Sequence, residues 1–150
     1  MTVVEQTSVE IVDRLRVIQG LCLDIAVRLE DEASAQTIPR NYEYDGRRTA
    51  LLEIADEIDK AMTAIQGMSD SKLVQEQVKT LLAQVEARKQ RNLEAQQLNQ
   101  EYQHNFRMNG LYFTPRGAVA GCEKALEWLN ASLKLSDEAP PTAVLPTQSP

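Results

Sequence analysis

Apolar residues recur at alternating steps of four and three along most of the chain, and this spacing constrains the fold more than any other feature. The first stretch runs from Ile11 and Leu15 to Ile25 and Leu29. Such steps place apolar side chains on one face of an α-helix, and that face must be covered by another helix. The sequence therefore predicts a helix over about residues 8–34. Further apolar residues widen its face, which favours a bundle over a two-stranded coiled coil.

Three more segments repeat the pattern. The second predicts a helix over about 47–67. The third predicts one over about 71–109, because no glycine or proline interrupts it before Asn109. The fourth predicts a helix over about 115–135, opened by Thr114 as the cap and a proline at the first helical position.

The segments between these helices carry turn chemistry. Pro39, Asp45 and Gly46 predict a turn between the first two helices, and Gly67 predicts the end of the second, with a cap for the third at residues 69–71. The predicted fold is all-α: an antiparallel, coiled-coil-like helical bundle with three long helices and a C-terminal amphipathic helix. An aromatic content of only 5% suits such an aliphatic core.

Length and charge limit the possible functions. A chain of 150 residues fits one domain, predicted over 1–135 and followed by a Pro-rich disordered tail over 136–150. A net charge of -6 disfavours nucleic acid as a partner, because phosphate contact needs a surplus of Lys and Arg. With no apolar stretch of ~20 residues and no recognisable leader, the chain is predicted to be soluble and cytoplasmic, without membrane insertion.

Catalytic and metal-binding motifs are weak. Glu101 and His104 have the spacing of a carboxylate–histidine metal pair, but the chain contains only one histidine. Ser69 and Lys72 match a nucleophile–base spacing, yet helix capping explains the serine. Cys22 and Cys122 have no second cysteine or histidine at ligand spacing, which disfavours a disulfide scaffold or a zinc site. The sequence predicts neither an enzyme nor a cofactor or metal site.

The most informative feature is that the fourth helix has an apolar stripe, while the part of the third helix that would face it is polar. Between Gln84 and Asn105, nine of twenty-two residues are Gln or Asn. Burying such amides without partners costs ~1–3 kcal/mol each, so the fourth helix is expected to pack loosely on this stretch and to offer its apolar stripe to another protein. The alternative is that the fourth helix closes a four-helix bundle and that the polar run is solvated.

Several short motifs resemble flagellar export chaperones of the FlgN type, with the FliT type as a near relative. They are Leu98-Asn99-Gln100, Asn109-Gly110-Leu111 and a segment at 123–129 that contains Ala-Leu-Glu. The resemblance implies a small cytoplasmic helical protein whose C-terminal region holds the amphipathic C-terminal segment of a hook–filament junction or cap protein before export. By position it implicates in partner binding Val119, Cys122, Leu126, Trp128, Leu129 and Leu133, with Asn99, Asn105 and Asn109 along the approach.

Two functional hypotheses follow. The first is a non-enzymatic export chaperone that shields an amphipathic helix of a secreted protein and that also meets the export apparatus. The second is a self-associating structural or adaptor protein, in which the apolar stripes of two identical chains pair as a homodimer.

Overall fold

In the computed structural model, which describes residues 8–133, the chain forms four α-helices packed side by side. They are α1 (Ser8–Ser34), α2 (Arg40–Ile65), α3 (Ser71–Leu98) and α4 (Gly110–Leu133), with one 3-10 turn at Gln100–Tyr102. No strand occurs between residues 8 and 133. The predicted all-α bundle is thus confirmed. The predicted tail over 136–150 and the last two residues of the predicted fourth helix lie outside the described residues.

The bundle is built around two of its helices. Helices α2 and α4 contact each other along their length, while α1 packs chiefly on α2 and α3 chiefly on α4. Consecutive helices run antiparallel, so α2 and α4 run in the same direction. In a square four-helix bundle these two would be diagonal neighbours held apart by side chains. Here they touch directly.

Glycines make this contact possible. A Cβ added at Gly46 would lie 2.0 Å from the carbonyl oxygen of Thr114, and one at Gly117 would lie 1.9 Å from the carbonyl oxygen of Glu43. No side chain fits at such distances, so each glycine lets the backbone of one helix rest on the other. At Gly121 an added Cβ would lie 3.4 Å from the Cβ of Ala50, so small residues continue the close contact between α2 and α4.

Around this contact the core is aliphatic and continuous across all four helices. Its largest completely buried side chains belong to α1, α2, the first half of α3 and the second half of α4: Ile11, Leu15, Ile18, Leu51, Ile54, Ile58, Ile65, Val78, Leu81, Val85, Leu129 and Leu133. These are the seam positions that the sequence pattern selects. The core of α3 stops at Val85, which leaves the second half of that helix without fully buried apolar residues.

Helix α2 begins seven residues earlier than the predicted 47. Its first residue is Arg40, directly after Pro39, whose carbonyl accepts hydrogen bonds from the amides of Tyr42 and Glu43 at 3.0 and 3.4 Å. The prediction of a turn at Asp45 and Gly46 is therefore wrong. Gly46 serves the close approach to α4 instead of a turn.

Helix α3 starts at Ser71 as predicted but ends at Leu98, so the prediction of one helix to 109 is wrong. Its cap is Asp70, whose Oδ1 accepts hydrogen bonds from the amides of Lys72 and Leu73 at 2.9 and 3.4 Å. At its other end, the side-chain amide of Asn99 donates to the carbonyl of Ala95 at 2.8 Å. Asparagine competes with the helix backbone in this way and favours an end to the helix.

Helix α4 begins at Gly110 and not at the predicted 115. The carbonyl of Asn109 accepts hydrogen bonds from the amides of Tyr112 and Phe113, at 3.0 and 2.9 Å. Both aromatic side chains are buried, so packing holds this segment helical ahead of Pro115. Pro115 consequently lies inside the helix, where it has no N–H to donate to the carbonyl of Leu111.

Candidate functional site

The apolar stripe of α4 faces the protein's own core. Of the residues predicted to bind a partner, Val119, Cys122, Leu129 and Leu133 are buried, and Leu126 and Trp128 are half-buried against the core. The expectation that α4 packs loosely and lacks cover is therefore wrong. The structure agrees with the alternative, in which the fourth helix closes a four-helix bundle.

The polar stretch of α3 does not prevent this closure, because most of its half-buried amides have partners and its other amides are exposed. Asn92 donates to the carbonyl of Arg88 at 2.9 Å, and Gln96 donates to the hydroxyl of Tyr112 at 3.3 Å. Together with the bond from Asn99 to Ala95, these contacts remove much of the cost of placing amides beside α4.

An ion-pair cluster replaces apolar packing in the same region. The Arg88 guanidinium binds the carboxylates of Glu53 and Glu57 on α2, the latter at 2.6 Å from Nη2 to Oε2. The Arg88 and Glu57 side chains are only 16% and 19% exposed, so both charges are largely removed from water. This cluster ties α3 to α2, two helices that otherwise make few contacts with each other.

An open groove lies beyond this cluster, at the end of the bundle where α3 gives way to α4. We call residues 99–109 the elbow and the cavity beside it the elbow groove. Its volume is about 570 Å³. It is lined by the first turns of α2 and α4, the last turns of α3 and part of the elbow: Tyr42, Asn92, Ala95, Asn99, Arg107, Met108, Gly110, Leu111, Thr114 and Pro115.

Large apolar side chains are exposed at and beside this groove. Met108 and Leu111 line it and are 42% and 46% exposed, while Leu98 and Phe106, at 78% and 75%, lie on the flanking chain. Single exposed apolar residues are common on proteins, but four within fourteen residues of chain are typical of an interaction surface.

The three asparagines predicted to line the approach to α4 have different places. Asn99 lines the elbow groove. Asn105 is exposed, and its Oδ1 accepts hydrogen bonds from the amides of Arg107 and Met108 at 3.0 and 3.3 Å, so it shapes the elbow turn. Asn109 is buried, and its Oδ1 has no hydrogen-bond partner.

The thiols of Cys22 and Cys122 are poorly suited to chemical reaction. Both are completely buried and free, at the α1 and α4 seams respectively. Burial raises the pKa of the Cys22 thiol to about 11, and burial likewise raises the pKa of the Cys122 thiol to about 11. Since the thiolate is the reactive form, neither side chain is suited to nucleophilic chemistry near neutral pH.

Between residues 8 and 133, no three His, Cys, Asp or Glu side chains form a group that could hold a metal ion. In the same range, none of the helices combines the length and the apolar content that crossing a membrane requires. The fold and groove define the class, an all-α four-helix bundle with an open apolar groove at its elbow. Comparison with known proteins finds no matching family model, curated protein or solved structure.

The predicted partner-binding set contained only one groove-lining residue, Asn99. It omitted Met108 because that residue was assigned to the end of the third helix, and it omitted Leu111 because that residue was assigned to the link before the fourth helix. A signal was nevertheless present. Leu98, Phe106 and Met108 lie in a stretch otherwise rich in amides, where no neighbouring seam is available to cover them.

Proposed function

We propose that this protein is a non-catalytic chaperone of the flagellar export type, acting in the cytoplasm on a secreted hook–filament junction or cap protein. The observation that supports it is the exposed apolar lining of the elbow groove. Two of the motifs that carry the resemblance, Leu98-Asn99-Gln100 and Asn109-Gly110-Leu111, border this same groove.

The binding surface in this proposal is the groove and not the α4 stripe. Met108 and Leu111 would pack against the apolar face of an amphipathic helical segment, a mode in which a helix lies in an apolar groove. Each such side chain, once fully buried, contributes roughly 1.5–3 kcal/mol. The stripe residues act indirectly, since they hold α4 and therefore the groove wall in place.

The test uses the C-terminal segments of the hook–filament junction and cap proteins encoded in the same genome, titrated into the full chain by calorimetry. We expect a one-to-one complex. Leu111→Asp should weaken binding at least about thirtyfold, because it puts an unpaired charge into the contact. Leu73→Asp is the matched control, since Leu73 is similarly exposed, at 51% against 46%, and lies at the opposite end of α3.

Two results would contradict the proposal. One is that none of these segments binds. The other is that Leu111→Asp binds as well as the original chain while its circular dichroism is unchanged. A dimer in sedimentation that Leu111→Asp dissociates would instead support the self-associating adaptor, with the groove as the interface between two copies.

A further inference from the structure

The charges of this acidic protein are unevenly distributed. Residues 40–48 and 91–116, which form the groove end of the bundle, contain six Lys or Arg and four Asp or Glu. The rest of the chain contains ten Lys or Arg and eighteen Asp or Glu. The elbow groove therefore lies in a part of the chain where Lys and Arg outnumber Asp and Glu, although the net charge of the whole chain is -6.

Ion pairs already occupy the acidic residues at the start of α2. Arg48 pairs with Asp45 at 3.1 Å and Arg116 with Glu43 at 3.3 Å, which neutralises both carboxylates of the first α2 turns. Arg107 forms no ion pair with any described residue, and it is the only charged residue that lines the groove. Its guanidinium is available to an incoming group.

Arg91 adds a second available cation. It is exposed, forms no ion pair within residues 8–133, and lies one helical turn before the groove-lining Ala95 on α3. The two carboxylates of this region that have no ion pair are placed differently. Glu94 is exposed on α3 and does not line the groove, and Glu101 is exposed on the elbow without lining it either.

We infer that the elbow groove selects amphipathic segments that carry carboxylates beside their apolar residues. The apolar residues pack on Met108 and Leu111, and a carboxylate pairs with Arg107, with Arg91 attracting a second one along α3. This inference rests on the proposed function and specifies the chemistry of its partner. Charge complementarity of this kind contributes to selectivity and association rate more than to the total affinity.

The experiment uses two fluorescently labelled synthetic helical peptides with the same apolar face. One has Glu at its polar positions and the other has Lys. Binding to the full chain is measured by anisotropy at low and high salt. We expect the Glu peptide to bind about tenfold more tightly at low salt, and we expect most of that difference to be lost at high salt, where exposed charges are screened.

A charge-reversing substitution tests whether the preference for the Glu peptide arises at the groove. Arg107→Glu should abolish or invert the preference between the two peptides. Arg28→Glu is the control, because Arg28 is also exposed, has no ion pair with any described residue, and belongs to α1. This control should keep the preference, and Leu111→Asn, which removes the apolar side chain without adding a charge, should weaken both peptides together.

The outcomes separate the two proposals. If both peptides bind equally and Leu111→Asn weakens both, the groove binds apolar segments but the inference about carboxylates is wrong. A preference for the Lys peptide, or a Glu preference that Arg107→Glu leaves unchanged, overturns the inference in the same way. If neither peptide binds, the inference and the proposed function both fail.

Discussion

The two ends of α4 lie in opposite environments. From Gly117 onward, the helix is pressed against α2 with no space for a side chain at the contact, and its apolar stripe is buried. Its first turn borders an open groove, and Leu111 there is nearly half exposed. One helix therefore contains both a backbone contact too close for any side chain and a wall of the candidate binding surface.

This difference shows that small residues, and not only apolar ones, decide whether the apolar face of a helix is covered by other helices of the same chain. Gly46 and Gly117 allow two backbones to touch, so the stripe of α4 is covered although half of α3 is polar. At the elbow no such contact exists, and apolar side chains remain in water. Substitutions at the two ends should accordingly have different consequences.

The largest expected effect is at the glycine contact. Gly117→Val places a side chain against the Glu43 carbonyl, so we expect a loss of at least about 4 kcal/mol of unfolding free energy, or failure to fold. Gly20→Ala in α1 is the control, because an added Cβ there meets nothing within 4 Å. It should stabilise the helix by about 0.5–1 kcal/mol. Urea titration measures the unfolding free energies of both variants. If Gly117→Val were as stable as Gly20→Ala, the close contact between α2 and α4 would be contradicted.

Truncation of leucines compares the two ends of α4 directly. Leu129→Ala removes a completely buried side chain and should cost about 3 kcal/mol, within the usual range for such cavities. Leu111→Ala removes a side chain that is 46% exposed, so its cost should stay below about 1 kcal/mol. Similar losses for both variants would mean that α4 is not buried as described.

The thiols give a pH-dependent test of burial at the α1 and α4 seams. Above pH 9 an unfolded thiol loses its proton, whereas the buried thiols of Cys22 and Cys122 keep theirs up to a pKa of about 11. The unfolded state then binds fewer protons, so stability falls as pH rises from 9 to 11, by about 1.4 kcal/mol per pH unit for each thiol.

The control for this pH effect is the double variant Cys22→Ala with Cys122→Ala. It should be less stable at pH 8 but should lose less stability between pH 9 and 10, as measured by urea midpoints. Equal pH dependence of the original chain and the double variant would show that the thiols are not buried in the folded protein.

Of the four regions tested, the ion-pair cluster should have the smallest effect on the unfolding free energy. Arg88→Met leaves Glu53 and Glu57 without their partner, and we expect a loss of about 1–2 kcal/mol, reduced by their partial exposure to water. Adding Glu57→Leu should restore part of that loss, because it removes the more buried of the two uncompensated carboxylates. A double variant that is as unstable as the sum of both single variants would argue against direct coupling.

Much of the fold was predictable from apolar spacing. The four helices, the start of α3 at Ser71 and the buried seam positions all follow from steps of four and three and from capping residues. The early start of α2 did not follow, because Gly46 fits a turn as well as it fits a helix–helix contact. Only the position of Thr114 on another helix distinguishes the two.

The candidate site was much less predictable. The α4 stripe has the same spacing whether it faces a partner or the protein's own core, and its cover depends on glycines whose role is visible only in three dimensions. The end of α3 at Leu98 is not marked in the sequence, because Asn92 inside the helix makes the same side-chain bond to the carbonyl four residues earlier that Asn99 makes at its end. Met108 and Leu111 become groove residues only once the elbow exists.

Hydrogen exchange, read by mass spectrometry with and without the partner segment, tests most directly whether α4 is closed and the elbow is open. We predict that residues 117–133 of the lone protein are protected as strongly as α2, while residues 99–109 exchange quickly. Addition of the segment should slow exchange over residues 92–115 and leave 117–133 unchanged. Fast exchange over 117–133 in the lone protein, or new protection confined to that stretch, would contradict this account.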